Sequence, residues 1–245
     1  SSYSVESDEY VAINKSQITN SVGQYVVERK DLLDRCLMNE WNYKWFFVYR
    51  NITNTTNERT VIASVIPFYA PVFSLRVMFG FEKEHSILFL ANMNSFALDF
   101  IVRNKMGGTN LSDYIMKQIP FITIEYYTSK LISEIRRRVL ELQYTNEDIK
   151  EYAIDMGIFT ETFPWNEKHR FKLQCELDAI YAHLYGLEKE EMDYILETFP
   201  IVKRKDIAKY GSYRTKETIL QLYDEFAWVR EEIKESKDMI RENIT

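Results

Sequence analysis

The sequence predicts an α+β fold, with a mixed, β-rich part over about residues 1–122 and a helical part over 123–245. Three observations predict it. Short runs of aromatic and β-branched residues gather between 43 and 95, as strands require. From about Ala91 the apolar residues recur at three and four, and helical patterning dominates from 126 onward. Finally, only seven glycines occur in 245 residues, which argues against an all-β chain built from tight turns.

In chain order, "QYVVER" (24–29) reads as a short strand and "KDLLDRCLMNEW" (30–41) as a short helix. "YKWFFVYR" (43–50) is aromatic and β-prone. "RTVIASVIP" (59–67) is mostly apolar, as a strand covered on both faces is. "FSLRVMFGF" (73–81) and "SILFLANMNS" (86–95) read as further strands around a turn at 82–85. Met93, Phe96, Ala97, Phe100 and Ile101 then mark an amphipathic helix that ends at "KMGGTN" (105–110), where glycine is a C-terminal signal. "LSDYIMKQIP" (111–120) is a short helix or turn closed by Pro120.

In the second part, helices are expected over 126–144, over 145–157 after a capping-type "TNED", over 165–187 with a stop at Gly186, and over 188–200. The last, about 215–243, sets Ile219, Leu222, Phe226, Val229, Ile233, Ile240 and Ile244 at heptad-like spacing. Four heptads more often mark a helix packed on its own domain than a coiled coil.

Hydrophobic content of 46% and aromatic content of 15% indicate a globular chain. The net charge of -6 excludes a wholesale nucleic-acid coat, but the charge is segregated. Residues 141–200 hold 14 acidic against 5 basic residues, while 203–216 hold 6 basic against one acidic. No apolar run has the length of a membrane span. Cys36 and Cys175 form neither a disulfide framework nor a zinc spacing, so a cytoplasmic protein with reduced thiols is expected. The abrupt opening suggests a fragment of something longer.

Catalytic signals are missing. His85, His169 and His183 show no i, i+4 ligand pair and read as structural. There is no GxSxG elbow, Walker loop, GxGxxG or (D/N)PPY tetrapeptide. What remains is polar and basic. Arg50 and Arg59 flank a loop rich in amides and hydroxyls, with Asn57 and Thr60 beside Arg59. Arginine suits guanine edges and phosphates, and asparagine suits adenine. Lys105 precedes Gly107, Gly108, Thr109 and Asn110, where glycine lets backbone amides approach a phosphate. Lys203, Arg204 and Lys205, with Tyr213 and Arg214, combine charge with an aromatic ring, as backbone contact and base stacking do. Each feature alone has an ordinary structural reading: a C-cap, a turn, or a solvated helix start.

Three stretches taken together carry a resemblance: "TNERTVIASVIP", "LANMNSFALDFIVRNKMGGTNLSDYIMKQIPF" and "LQCELDAIYAHLYGLEKEEMDYILETFPIVKRKDIAKYGSYRTKETIL". They resemble the C-terminal target-recognition region of type II and IIG restriction–modification adenine-specific DNA methyltransferases and related phage-defence methylases, over most of residues 45–225. The middle stretch is also similar to type I specificity subunits. The resemblance implies that 1–122 is a target-recognition domain and that 123–245 is a helical region packed on it. It implies double-stranded DNA as partner, and a parent protein whose N-terminal methyltransferase domain binds S-adenosylmethionine, with Mg for any cleavage. Lacking the tetrapeptide, this chain is expected to read DNA and not to methylate it.

Carried over by position, the "NERT" turn (57–60) and the "GGTN" turn (107–110) are expected to contact phosphates or to hold the scaffold, since recurrent residues cannot read different sites. Base contacts are expected from 1–56 and 68–86. Lys203, Arg204, Lys205 and Arg214 are assigned to phosphates. The alternative is a protein-interaction module using the helical part; an independent hydrolase has little support.

Overall fold

The structure is a computed structural model that describes residues 28–242, with side chains described as far as residue 236. The strand expected at 24–29 falls largely outside the described residues, as do the Ile240 side chain and Ile244. The fold is α+β: a three-stranded antiparallel sheet with helices around it and a helical C-terminal part.

After helix α1 (Arg29–Met38) the chain enters the central strand β1 (Trp45–Arg50), flanked by β2 (Ala63–Pro67) and β3 (Leu75–Met78). Five of the six β1 residues are buried, which explains the unbroken aromatic run. Pro67 lies opposite Trp45 and Leu75 opposite Arg50. Residues 68–74 therefore cross from one end of the sheet to the other, and Phe68 stacks on Phe46 at 5.1 Å along the way.

The strand expected at 86–95 is instead helix α2 (Ser86–Met93). All but one of its eight residues are buried, so it has no solvent face to write a 3.6-residue period into the sequence. Ser95 then accepts from the Leu98 amide and opens α3 (Phe96–Lys105) as its N-cap. The helical stretches Lys83–Met93 and Phe96–Lys105 meet at 72°, and among the described residues no single helix is long and apolar enough to cross a membrane. A short α4 (Asp113–Met116) follows.

The remaining helices are α5 (Ser129–Gln143), α6 (Lys150–Asp155), α7 (Glu167–Leu184), α8 (Lys189–Glu197), α9 (Pro200–Tyr210), α10 (Arg214–Glu225) and α11 (Trp228–Glu242). Helix α7 is the axis of this part. Eleven of its residues are buried, and it stops where Gly186 takes a φ of 70° that side chains avoid. Pro200 does not just close α8, as its position suggests; it is also the first residue of α9. The single last helix expected over 215–243 is broken at Phe226 and Ala227. Its heptad positions Ile219, Leu222, Phe226, Val229 and Ile233 are buried in the chain's own core.

One buried apolar cluster runs from Cys36 to Ile233 and includes both parts of the chain. Polar contacts also join them. Trp45 Nε1 donates to Asp155 Oδ2 (2.8 Å) and the Tyr181 hydroxyl to the Leu88 carbonyl (2.8 Å).

Candidate nucleic-acid interface

The "NERT" turn is organised by Asp99 on α3, a carboxylate with no solvent exposure. It accepts from Arg59 Nε (2.9 Å), from Arg103 Nε (3.1 Å) and, through both oxygens, from the Thr60 amide (3.2 and 3.0 Å). Arg59 also donates from Nη2 to the Asn94 carbonyl (2.5 Å) and lies over the Phe96 ring at 3.9 Å. Arg103 Nη2 holds the carbonyls of Asn57 (2.7 Å) and Glu58 (3.0 Å). Burial pulls the Arg103 guanidinium below its ordinary pKa, and Asp99 works against that shift. Arg59 is thus built into the scaffold, and neither Asp99 nor Arg103 was singled out in the sequence.

The "GGTN" turn lies beside the other end of the same loop. The Thr53 amide donates to the Thr109 carbonyl (2.9 Å), the Leu111 amide to the Asn51 carbonyl (2.8 Å), and Asn110 bridges to Ile52. On its other side Asn51 donates to Ser74 at the start of β3 (2.8 Å). Lys105, Gly107, Gly108, Thr109 and Asn110 are all exposed. Helix α3 ends on an extended Met106, so the glycines are not its left-handed cap. Both have negative φ, and a Cβ on either would meet nothing within 4 Å. Nothing within the described chain requires glycine there.

Arg50 closes this end of the sheet. Its Nη2 donates to Thr53 Oγ1 (3.0 Å) and to the Arg59 carbonyl (3.1 Å). The Asn57 amide, turned so that its oxygen faces donors, accepts from the same nitrogen at 3.1 Å. Three buried side-chain atoms have no hydrogen-bond partner among the described residues: Arg50 Nε, Asn51 Oδ1 and Arg76 Nε. All three belong to the paired ends of β1 and β3, since Arg76 lies opposite Tyr49. An exposed Phe73 stands 5.1 Å from the Arg76 guanidinium. Residues 73 and 76 fall in the 68–86 segment expected to hold base contacts, though the sequence named neither.

The basic run on α9 divides. Lys205 pairs with Glu58 of the "NERT" turn, and Lys203 pairs with Glu197 at 2.6 Å. Arg204 is exposed with no ion pair among the described residues. Tyr213 is buried and donates its hydroxyl to the Leu196 carbonyl (2.8 Å), so its ring is not available for base stacking. Arg214 lies over Phe171 at 4.0 Å and Tyr210 at 4.6 Å.

His183 and both cysteines hold structural positions, while His169 is exposed and pairs with Glu141 at 2.5 Å. His183 is buried between the Tyr223 carbonyl (2.8 Å from Nε2) and Arg230 Nε (3.2 Å from Nδ1), and burial lowers its pKa. Cys36 and Cys175 are buried free thiols. No group of three or more potential metal ligands occurs among the described residues.

Comparison with protein-family models, with curated proteins and with solved structures finds no match to this chain.

Proposed function

We propose that the chain is the sequence-specific DNA-recognition module of an adenine-specific DNA methyltransferase or restriction–modification enzyme, positioning duplex DNA for a catalytic domain supplied by the parent protein. The observation that carries this reading is the sheet end. There the orphaned Arg50 Nε, Asn51 Oδ1 and Arg76 Nε stand beside the exposed glycine turn and Phe73. A buried polar atom without a partner costs about 1–3 kcal/mol, and the Arg50 and Arg76 guanidiniums, which the strand register sets on opposite faces of the sheet end, gain partners for these atoms by turning outward to a ligand. Two guanidinium donors and an amide acceptor suit base edges and phosphates. Backbone at Gly107 and Gly108 lies open to close approach. S-adenosylmethionine, and Mg for any cleavage, belong under this reading to the catalytic domain. The partner domain under this reading is the parent's N-terminal methyltransferase domain, and the site of action is the cytoplasm.

The test is retention of duplexes from a random-sequence pool, with affinity followed against salt. Binding is expected to weaken with a log–log slope of about 0.9 per neutralised phosphate. The reading fails if no duplex binds at low salt, either to this chain or to the chain joined to its catalytic domain.

A further inference from the structure

A cleft of about 490 Å3 lies where the two parts of the chain meet, walled by the "NERT" turn, the α2–α3 junction, α5, α7 and α9. It is separate from the sheet end, and its chemistry is independent of DNA recognition. Its floor holds two buried carboxylates, Asp178 on α7 and Asp206 on α9. Each uses one oxygen on a backbone amide: Asp178 Oδ1 accepts from Phe96 (2.7 Å) and Asp206 Oδ2 from Thr215 (2.6 Å). Neither second oxygen has a hydrogen-bond partner among the described residues, and neither is sealed like the three orphaned atoms of the sheet end, so each stays open to the cleft. A carboxylate oxygen that faces a cleft without a donor is well suited to a ligand that brings N–H groups.

The walls and rim have a different character. The rings of Phe96 and Phe171 line the cleft, and each is covered by a guanidinium, Arg59 and Arg214 respectively. Gln143 accepts from Ser64 through Oε1 (3.3 Å), which leaves its amide nitrogen unused, and Gln174 makes no hydrogen bond among the described residues. Arg170 donates from Nη1 to the Leu142 carbonyl (2.6 Å) and stacks on Trp165 at 3.8 Å, leaving two of its nitrogens for an anion. The cleft therefore asks for a flat ligand, rich in donors at one end and anionic at the other, in a volume typical of small-molecule sites.

We propose that this cleft binds a guanine nucleotide, with the N1–H and N2–H edge on Asp178, the ring against Phe171, and the phosphate at Arg170. Adenine presents an acceptor beside its amino group, and an ionised carboxylate disfavours that pairing. Asp178 titrates at about 6, raised mainly by burial and held down by Arg59, so it is largely ionised at neutral pH.

Isothermal titration tests the proposal, with guanosine monophosphate as probe and adenosine monophosphate, guanosine and spermidine as comparators. Guanosine monophosphate is expected to bind at least about tenfold more tightly than adenosine monophosphate, a difference one charge-assisted hydrogen bond supplies. Removing the phosphate should weaken binding. Asp178→Asn keeps an acceptor for the Phe96 amide and should erase the preference for guanine. Gln174→Trp, an exposed position, should block the mouth without disturbing the core. A single-stranded oligonucleotide that displaces the mononucleotide would assign the guanine to a strand; failure to compete would assign it to the free nucleotide. No binding of guanosine monophosphate at millimolar concentration, equal affinity for adenosine monophosphate, binding of spermidine alone, or unchanged affinity in Asp178→Asn would each overturn it.

Discussion

The "NERT" turn and the sheet end are joined by one loop, yet they treat their arginines in opposite ways. At the turn, Arg59 and Arg103 share the buried Asp99, and the Thr60 amide uses both of its oxygens. At the sheet end, Arg50 and Arg76 keep an unpartnered Nε each, next to an unpartnered Asn51 oxygen. The turn is thus satisfied within the chain, while the sheet end keeps side-chain atoms without a partner. Candidate readers of a ligand are sought among residues with no internal partner.

The largest effect that can break this comparison is on stability at the turn. Asp99→Ala strands two guanidiniums and an amide, and removing one member of a buried ion pair costs about 3–5 kcal/mol. Urea unfolding should show a lower midpoint with an unchanged slope. A variant as stable as the parent would mean that Asp99 does not organise the turn.

A second buried aspartate sharpens the contrast. Asp178 has a single donor, the Phe96 amide, where Asp99 has three, and burial raises its pKa from 3.8 to about 6. The native state therefore holds this proton more tightly than the unfolded chain does. The associated stability is fully present below about pH 4 and is lost as pH rises through about 6. Asp178→Asn should remove that dependence and be more stable than the parent at pH 7, by up to about 3 kcal/mol. Parallel stability–pH curves for the two proteins would contradict the burial argument.

Next in size is the effect on DNA. Arg76→Ala is expected to weaken duplex binding by about 1–3 kcal/mol and to relax sequence preference, if Arg76 reads a base. It should cost less stability than Asp99→Ala, because the guanidinium gives up the Phe73 ring contact while its Nε had no hydrogen bond to lose. Arg59→Ala should do the reverse, losing stability with binding per folded molecule unchanged. An exchange of those two outcomes would invert the assignment of scaffold and reader.

Why the sequence showed one side of this contrast and concealed the other has a physical basis. β1 was legible because "WFFVYR" is aromatic and apolar up to its final arginine; α9 was not expected, because its basic residues read as a charged run and Pro200 as a stop, not as the first residue of a helix. Helix α2 was not, since "SILFLANM" is buried all round and carries no period. The break at Phe226 and Ala227 was hidden for the opposite reason: the heptad pattern of Ile219, Leu222, Phe226 and Val229 continues through it, with no glycine or proline to mark it. The role of Arg59 depended on Asp99, forty residues later, a distance across which spacing gives no cue. The cleft draws on elements from both parts of the chain, and Asp178 stood in the sequence as one of several charged residues on a long helix.

The smallest effect concerns the exposed cations, and it separates them from one another. Lys105 and Arg204 are exposed and have no ion pair among the described residues, while Lys203 and Lys205 pair with Glu197 and Glu58. A cation already neutralised by a carboxylate brings that carboxylate to the DNA surface and releases little net counterion on binding. Replacing Lys105 or Arg204 with alanine should therefore lower the salt slope by about 0.9 each, uniformly across sequences. The same change at Lys203 or Lys205 should move the slope less, because it exposes Glu197 or Glu58 and acts only through the repulsion this adds. Salt titrations of the four variants on one duplex decide the matter. Four equal decrements would show that the ion pairs open on binding, and that the whole α9 run faces the phosphates as one surface.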